Sequence, residues 1–214
     1  MSFEKKIVIF DLGGVILDIH VERTFGALAA LGIDSAVLSE DNSPFNIMMQ
    51  RFDRGEISCE EFYDYIASLL PLWAHDIPAE ELRERIHEVW NMMLGSYDRD
   101  KLHRIEELRN RGHRVVLLSN TNEGHWNEIE RRLYFAIGAH LDDCFDALYL
   151  SYRMNMRKPG KEILLELLKS EGAHPDECIF FDDSKENCDA ARSLGIEAVF
   201  VERNSLWTDF FMND

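Results

Sequence analysis

Cysteine is scarce in these 214 residues. Cys59, Cys144, Cys178 and Cys188 are the only four, and no two form a CxxC pair, which argues against a disulfide framework or a paired-thiolate zinc site. They read as reduced, packed thiols of a cytoplasmic protein. Also missing is any apolar run near the ~18 residues that a membrane helix needs. Met1-Ser2-Phe3-Glu4-Lys5-Lys6 leads into only four apolar residues before Asp11, so neither a span nor an export signal is expected. Positive charge is sparse as well: 23 Lys+Arg face 40 Asp+Glu, a formal net charge of −17. A field of that sign repels nucleic acid and anionic membrane faces, and neither is expected as a partner.

What is present is an ordinary globular balance, 46% hydrophobic and 29% charged, without repeat, low-complexity tract or flexible linker. Short β-branched runs recur at 7–10, 114–118, 147–150, 178–181 and 198–201. Helix-like stretches lie between the later ones: one around Leu102, Ile105 and Leu108 stopped by Gly112, one over 162–169 opened by Pro159 and closed by Gly172, and one over 190–194 closed by Gly195. That alternation predicts a doubly wound α/β domain on a parallel sheet, with strands apolar on both faces. Roughly a hundred residues separate the first two strands, far more than one crossover requires. The excess reads as helices only, over 21–31, 45–52, 59–70 and 79–94. Residues 18–95 are therefore assigned to an inserted helical module, and 1–17 with 96–214 to the sheet domain. The acidic residues of the insert, Asp53, Glu56, Glu60, Glu61, Asp64, Glu80, Glu81 and Glu84, are expected on its solvated outer face.

In open α/β sheets ligands bind beyond the carboxyl ends of the strands, so polar residues that end apolar strands are the candidates. Asp11 follows Ile7-Val8-Ile9-Phe10, and Ser119-Asn120-Thr121 follows Val115-Val116-Leu117-Leu118. Arg157-Lys158-Pro159 follows the third strand by a short loop, and Asp182-Asp183-Ser184 follows Ile179-Phe180-Phe181. Two adjacent carboxylates at one strand end and a third at another could hold a hard cation such as Mg²⁺. An aspartate at a strand end serves equally as a helix N-cap, and Asp183 or Ser184 is placed to cap the helix carrying Asn187.

Taken together, Asp11-Leu12-Gly13-Gly14-Val15-Ile16, Leu118-Ser119-Asn120-Thr121, Arg157-Lys158-Pro159 and Phe181-Asp182-Asp183-Ser184 with Asn187 resemble the four ordered motifs of the haloacid dehalogenase superfamily. Phe52-Asp53-Arg54-Gly55, Phe145-Asp146 and Ser151-Tyr152 are further matches, and Asn155 stands where the family often has glycine, in a residue type that tolerates the left-handed conformation. The resemblance implies a Rossmann-like core with an α-helical cap after the first motif. It also implies a Mg²⁺-dependent phosphatase of a small phosphorylated metabolite, a sugar phosphate being the expected substrate. By the same resemblance Asp11 is the nucleophile that forms an aspartyl-phosphate. Ser119 and Asn120 bind the phosphate, and Lys158 offsets charge on nucleophile and phosphoryl group. Asp11, the Gly13 carbonyl and Asp183 hold the metal, with Asp182 acting directly or through water.

One departure matters. Most phosphatases of the superfamily carry a second aspartate two residues after the nucleophile as general acid and base, and here that position is Gly13. Asp18 and His20 are the nearby substitutes. The Asp-Leu-Gly-Gly-Val form is similar to a sub-group that includes glucose-1-phosphate phosphatases. Two other readings compete: a 2-haloacid dehalogenase, which the pair Asp182-Asp183 argues against, and a weakly catalytic sensor of phosphorylated metabolites. Trp73, Trp90, Met48 and Arg51 either line the cap side of the crevice or fill the cap core.

Overall fold

A computed structural model describes residues 6–39 and 43–211, and residues 1–5, where no leader is expected, lie outside the described part. The chain opens with β1 (Ile7–Phe10) and β2 (Leu17–Ile19), then runs through α1 (Val21–Ala30), α2 (Ser35–Ser39), α3 (Pro44–Asp53), α4 (Cys59–Ser68) and α5 (Ala79–Trp90) to β3 (Leu94–Tyr97). There follow α6 (Arg99–Asn110), β4 (Arg114–Ser119), α7 (Glu123–Ile137), α8 (Leu141–Cys144), β5 (Ala147–Leu150) and α9 (Ser151–Met154). The last elements are α10 (Lys161–Glu171), β6 (Cys178–Asp182), α11 (Lys185–Ser193) and β7 (Glu197–Phe200). Five strands form one sheet in the order β5-β4-β1-β6-β7, parallel at every pairing.

Period-two alternation explains why the central strands are apolar throughout. Val8 and Phe10, Val115 and Leu117, and Ile179 and Phe181 face one buried cluster. Ile7 and Ile9, Val116 and Leu118, and Cys178 and Phe180 face the other. The second cluster is closed by Ile163, Leu164, Leu167 and Leu168 of α10 and Ala191 of α11. The first is closed by Ile105 and Leu108 of α6, Ile129 and Leu133 of α7, and Trp207. Both faces are thus covered, as a parallel sheet requires.

Several sequence expectations need correction. The insert is not helical alone: β2 and β3 pair antiparallel, Leu17 with Tyr97 and Ile19 with Leu94, with a register irregularity between them. Strands this short show no readable alternation, and the helix expected over 79–94 stops at Trp90, followed by a 3₁₀ turn at Asn91–Met93. The ribbon straddles both expected boundaries of the insert. Nor is Asp53 on a solvated face, since its carboxylate accepts a hydrogen bond from Asn122 Nδ2 at 3.1 Å across the seam between α3 and the β4 end. Glu56, Glu60 and Asp64 do stay near solvent, paired with Arg54 or Arg83. The last strand begins one residue earlier than expected, at Glu197.

Candidate active site

β1, β4 and β6 lie side by side, and the chain reverses its direction of travel across the sheet there, so their carboxyl ends frame a crevice. Asp11 extends the β1–β6 ladder by one step, its N–H donating to the Phe181 carbonyl at 2.9 Å. That bond fixes the backbone from which its carboxylate projects. Asp11 Oδ1 accepts from the Leu12 N–H at 2.7 Å and lies 2.8 Å from Lys158 Nζ. Lys158 is only 1% exposed, so its ammonium must be satisfied by protein, and it donates also to Asp182 Oδ2 at 2.7 Å and to the Leu118 carbonyl at 2.9 Å. Asp182 in turn accepts from Asn187 Nδ2 at 2.9 Å and the Ser184 N–H at 2.8 Å. Ser184 is the N-cap of α11, with its hydroxyl accepting from the Asn187 N–H. Asp183 lines the crevice and pairs with Arg203 Nε.

Burial raises the Asp11 carboxyl above its ordinary range; Lys158 opposes the shift, and Asp182 and Asp183 add to it. Burial alone would lower the Lys158 ammonium, but Asp11 and Asp182 outweigh it and hold it above its usual value. Oxygens of Asp11, Asp182 and Asp183 lie within 4.8 Å of one another. Such an oxygen-only donor set suits a hard divalent cation. Asp182 is committed to Lys158, Asn187 and Ser184, which leaves Asp11, Asp183 and the Gly13 backbone as the groups on the crevice wall.

The crevice holds about 180 Å³. Ser119, Asn120 and Thr121 form one side, and the Ser119 hydroxyl has no hydrogen bond among the described residues, although the residue is only 3% exposed. Asn120 is more constrained than expected. Its side chain donates to the Lys158 carbonyl at 2.9 Å and accepts from the Lys158 N–H at 2.8 Å, so it ties the two loops together. The roof is apolar, from Leu17, Ile19, Val21, Met93, Leu94 and Ile129. A larger cavity of about 630 Å³ between α6 and the α7–α8 turn contains none of these groups.

The place of the missing acid is filled by hydrocarbon. A Cβ on Gly13 would sit 3.0 Å from Ile19 Cγ1. Leu17 and Ile19 face the crevice, and strand alternation turns Asp18 the other way, where it accepts from Ser96 Oγ at 3.3 Å. His20 lies 3.6 Å from Glu22 and is not on the wall. His125 is, but burial pulls its imidazole down to about 4. Its Nε2 is 3.1 Å from the Trp90 carbonyl, which assigns the proton there, and its ring stacks on Trp90. Trp90 packs with Phe45 and Phe62 among α3, α4 and α5, Trp73 is exposed, and Arg51 reaches Met48 Sδ; none of the four lines the crevice.

The loop after β7 was not singled out in the sequence. Asn204, at φ 60°, accepts from the Ile19 N–H at 2.9 Å, donates to the Ile19 carbonyl at 3.0 Å, and gives its own N–H to the Gly14 carbonyl. Trp207 Nε1 donates to the Val15 carbonyl at 2.9 Å. Arg203, Asn204 and Trp207 form no recognisable motif, and the only available signal is that they follow a strand ending at the functional edge of the sheet.

A model of the haloacid dehalogenase-like hydrolases matches residues 5–195. The D-ribitol-5-phosphate phosphatase of Bacteroides thetaiotaomicron is 31% identical over 202 residues, 94% of each chain. A phosphorylated carbohydrates phosphatase of Thermotoga maritima is 25% identical over 130 residues, 59% of this chain and 57% of its own. Among solved structures, a HAD family enzyme of B. thetaiotaomicron in complex with magnesium and inorganic phosphate superposes with a TM-score of 0.84 at 28% identity, covering 97% of this chain and 99% of that one.

Proposed function

The chain belongs to the haloacid dehalogenase-like hydrolases, and on that premise we propose that it is a Mg²⁺-dependent phosphatase of a small phosphorylated metabolite, a sugar phosphate, working through an aspartyl-phosphate on Asp11. The observation that carries the reading is the placement of Lys158 Nζ between Asp11 and Asp182, at 2.8 and 2.7 Å, at a crevice lined by a buried Ser119 whose hydroxyl has no hydrogen bond among the described residues. A pure binding module has no need of a carboxylate held against a buried ammonium at a strand end.

In this reading an Asp11 oxygen attacks phosphorus as the ester P–O bond breaks, and water then attacks the aspartyl-phosphate, releasing phosphate and free Asp11. Ser119 donates to a phosphoryl oxygen. Lys158 orients Asp11, favours its ionised form against the effect of burial, and balances the charge that collects on the phosphoryl group. The cofactor is Mg²⁺, held by Asp11, Asp183 and the Gly13 carbonyl, and it draws charge from the phosphoryl oxygens when bound. Asp182 acts through Lys158. No crevice group supplies a proton to the departing oxygen, so that proton comes from solvent.

Residues 18–95 act as the cap, a reading supported by Ile19, Val21, Met93 and Leu94 on the crevice roof. Four free thiols support a cytoplasmic location. The test is phosphate release from a panel of sugar phosphates with Mg²⁺ and with EDTA. Release that needs Mg²⁺ and disappears in Asp11→Asn is expected. Halide release from haloacids with EDTA present, and no phosphate release, would overturn the reading in favour of a dehalogenase.

A further inference from the structure

The turn Phe52-Asp53-Arg54-Gly55 lies outside the crevice, yet it is bonded to both loops that carry the phosphate-binding groups. Asp53 Oδ1 accepts from Asn122 Nδ2 at 3.1 Å, and Oδ2 lies 3.7 Å from Arg157 Nη2. Asn122 closes the loop that begins at Ser119, and Arg157 immediately precedes Lys158. The main chain of the turn is engaged as well. Ser151 Oγ lies 2.6 Å from the Asp53 carbonyl and 2.8 Å from the Thr121 carbonyl, while accepting from the Thr121 N–H at 2.9 Å. Asn155 Nδ2 donates to the Arg54 carbonyl at 2.8 Å. Gly55, at φ 66°, approaches so closely that a Cβ there would stand 2.2 Å from the Tyr152 carbonyl oxygen.

From these contacts we infer that Asp53 is a positioning residue, which acts through Asn122 and Arg157 to hold the loops of Ser119 and Lys158 at one fixed separation. The separation matters because Asn120 bridges the same two loops at a second point, with its side chain on the Lys158 backbone. One bridge alone is a hinge. Two bridges through different residues, Asn120 to Lys158 and Asp53 to Asn122 and Arg157, restrain the rotation that would swing Ser119 away from Lys158. A carboxylate taken from water for this purpose costs free energy. Burial does raise the Asp53 carboxyl, against the hydrogen bond from Asn122 and the charges of Arg157 and Arg54.

The part of this inference that concerns phosphate rests on the phosphatase reading; the part that concerns loop order does not. The test uses Asp53→Ala and Asp53→Asn in the full chain, followed by NMR hydrogen exchange and by calorimetry with inorganic phosphate and Mg²⁺. The amides of Thr121 and Lys158, bonded to Ser151 and Asn120, are expected to exchange about tenfold faster in Asp53→Ala, the loss appropriate to one charge-assisted hydrogen bond, while those of β1 and β6 hold. Phosphate should bind about tenfold more weakly in that variant. Asp53→Asn, which keeps an acceptor for Asn122 but no charge for Arg157, should fall between, and it carries the test if the alanine variant does not fold. Unchanged exchange at Thr121 and Lys158, or equal acceleration across the whole sheet, would overturn the positioning role. Faster loop exchange in a protein whose natural form binds no phosphate would uphold the role and sink the phosphatase reading instead.

Discussion

Replacing Lys158 with methionine should destabilise the Mg²⁺-free protein by about 3 to 5 kcal/mol, the range found when one partner of a buried ion pair is removed. The structure sets that range. Lys158 Nζ meets Asp11, Asp182 and the Leu118 carbonyl at 2.8, 2.7 and 2.9 Å, and at 1% exposure the residue leaves no room for water to take its place. Methionine has nearly the same length and volume, so the cavity contribution is small and the loss is mainly that of an uncompensated charge. For a chain of this size ~1 kcal/mol moves Tm by ~2 to 4 °C, so a fall on the order of 6 to 20 °C is expected by calorimetry in EDTA. Adding Asp182→Asn should recover part of the loss, because one of the two stranded carboxylates is then neutral. Mg²⁺ should raise the Tm of Lys158→Met more than that of the natural protein, by replacing the missing positive charge. A Lys158→Met variant melting within about 2 °C of the natural protein in EDTA would refute the argument.

Asp183→Ala should weaken Mg²⁺ binding in calorimetry by at least about tenfold, whereas Asp182→Ala should mainly lower Tm, because Asp182 serves Lys158 and Asn187. Equal Mg²⁺ affinities in Asp183→Ala and the natural protein would remove Asp183 from the ligand set. Because no crevice group can protonate the leaving oxygen, log kcat/KM should fall steeply with leaving-group basicity, sugar 1-phosphates and aryl phosphates outrunning 6-phosphates. Gly13→Asp should help poor leaving groups by up to ~10²-fold, but only alongside Ile19→Ala, since Ile19 Cγ1 stands 3.0 Å from the new Cβ. A flat dependence in the natural protein would show that an acid is already present. His125 titrates near 4 when folded and near 6.5 when unfolded, so as the pH falls the unfolded chain takes up the proton first. Stability present above pH ~6.5 should therefore decline by about 3 kcal/mol on approaching pH ~4. Urea unfolding at pH 7 and 5 should show a smaller difference in His125→Gln, and an equal one would contradict the assignment.

The strand-end residues were legible because each follows a run apolar on both faces. A parallel sheet buried under helices writes its strands as unbroken hydrophobic blocks, and the polar residue that ends each block stands out. The ribbon β2–β3 was not legible, since three or four residues cannot display a period of two. The fifteen-residue α7 was also missed, because charged Glu128, Glu130, Arg131 and Arg132 and exposed Tyr134 and Phe135 interrupt its buried stripe of Trp126, Ile129 and Leu133. Asp53 was misplaced for a different reason. An acidic residue on an amphipathic helix looks solvated until the partner surface is known, and here that surface comes from Asn122 and Arg157, far along the chain. The same distance hid Asn204, whose hold on Ile19 joins residues 185 apart.

The position of β1 at the middle of the sheet has a consequence for synthesis. The first strand made pairs with nothing near it: Ile7 lies beside Arg114 on one side and Cys178 on the other. At ~5 to 20 residues per second the ribosome takes roughly five to twenty seconds to pass from Ile7 to Arg114 and roughly ten to thirty to reach Cys178. Until β4 is made the apolar segment Ile7-Val8-Ile9-Phe10 has neither of its native neighbours, and until β6 is made one of its hydrogen-bonding edges stays open to other nascent chains. Closure of the sheet around β1 therefore waits on two long-range parallel pairings, the kind of contact whose loop-closure entropy makes folding slow.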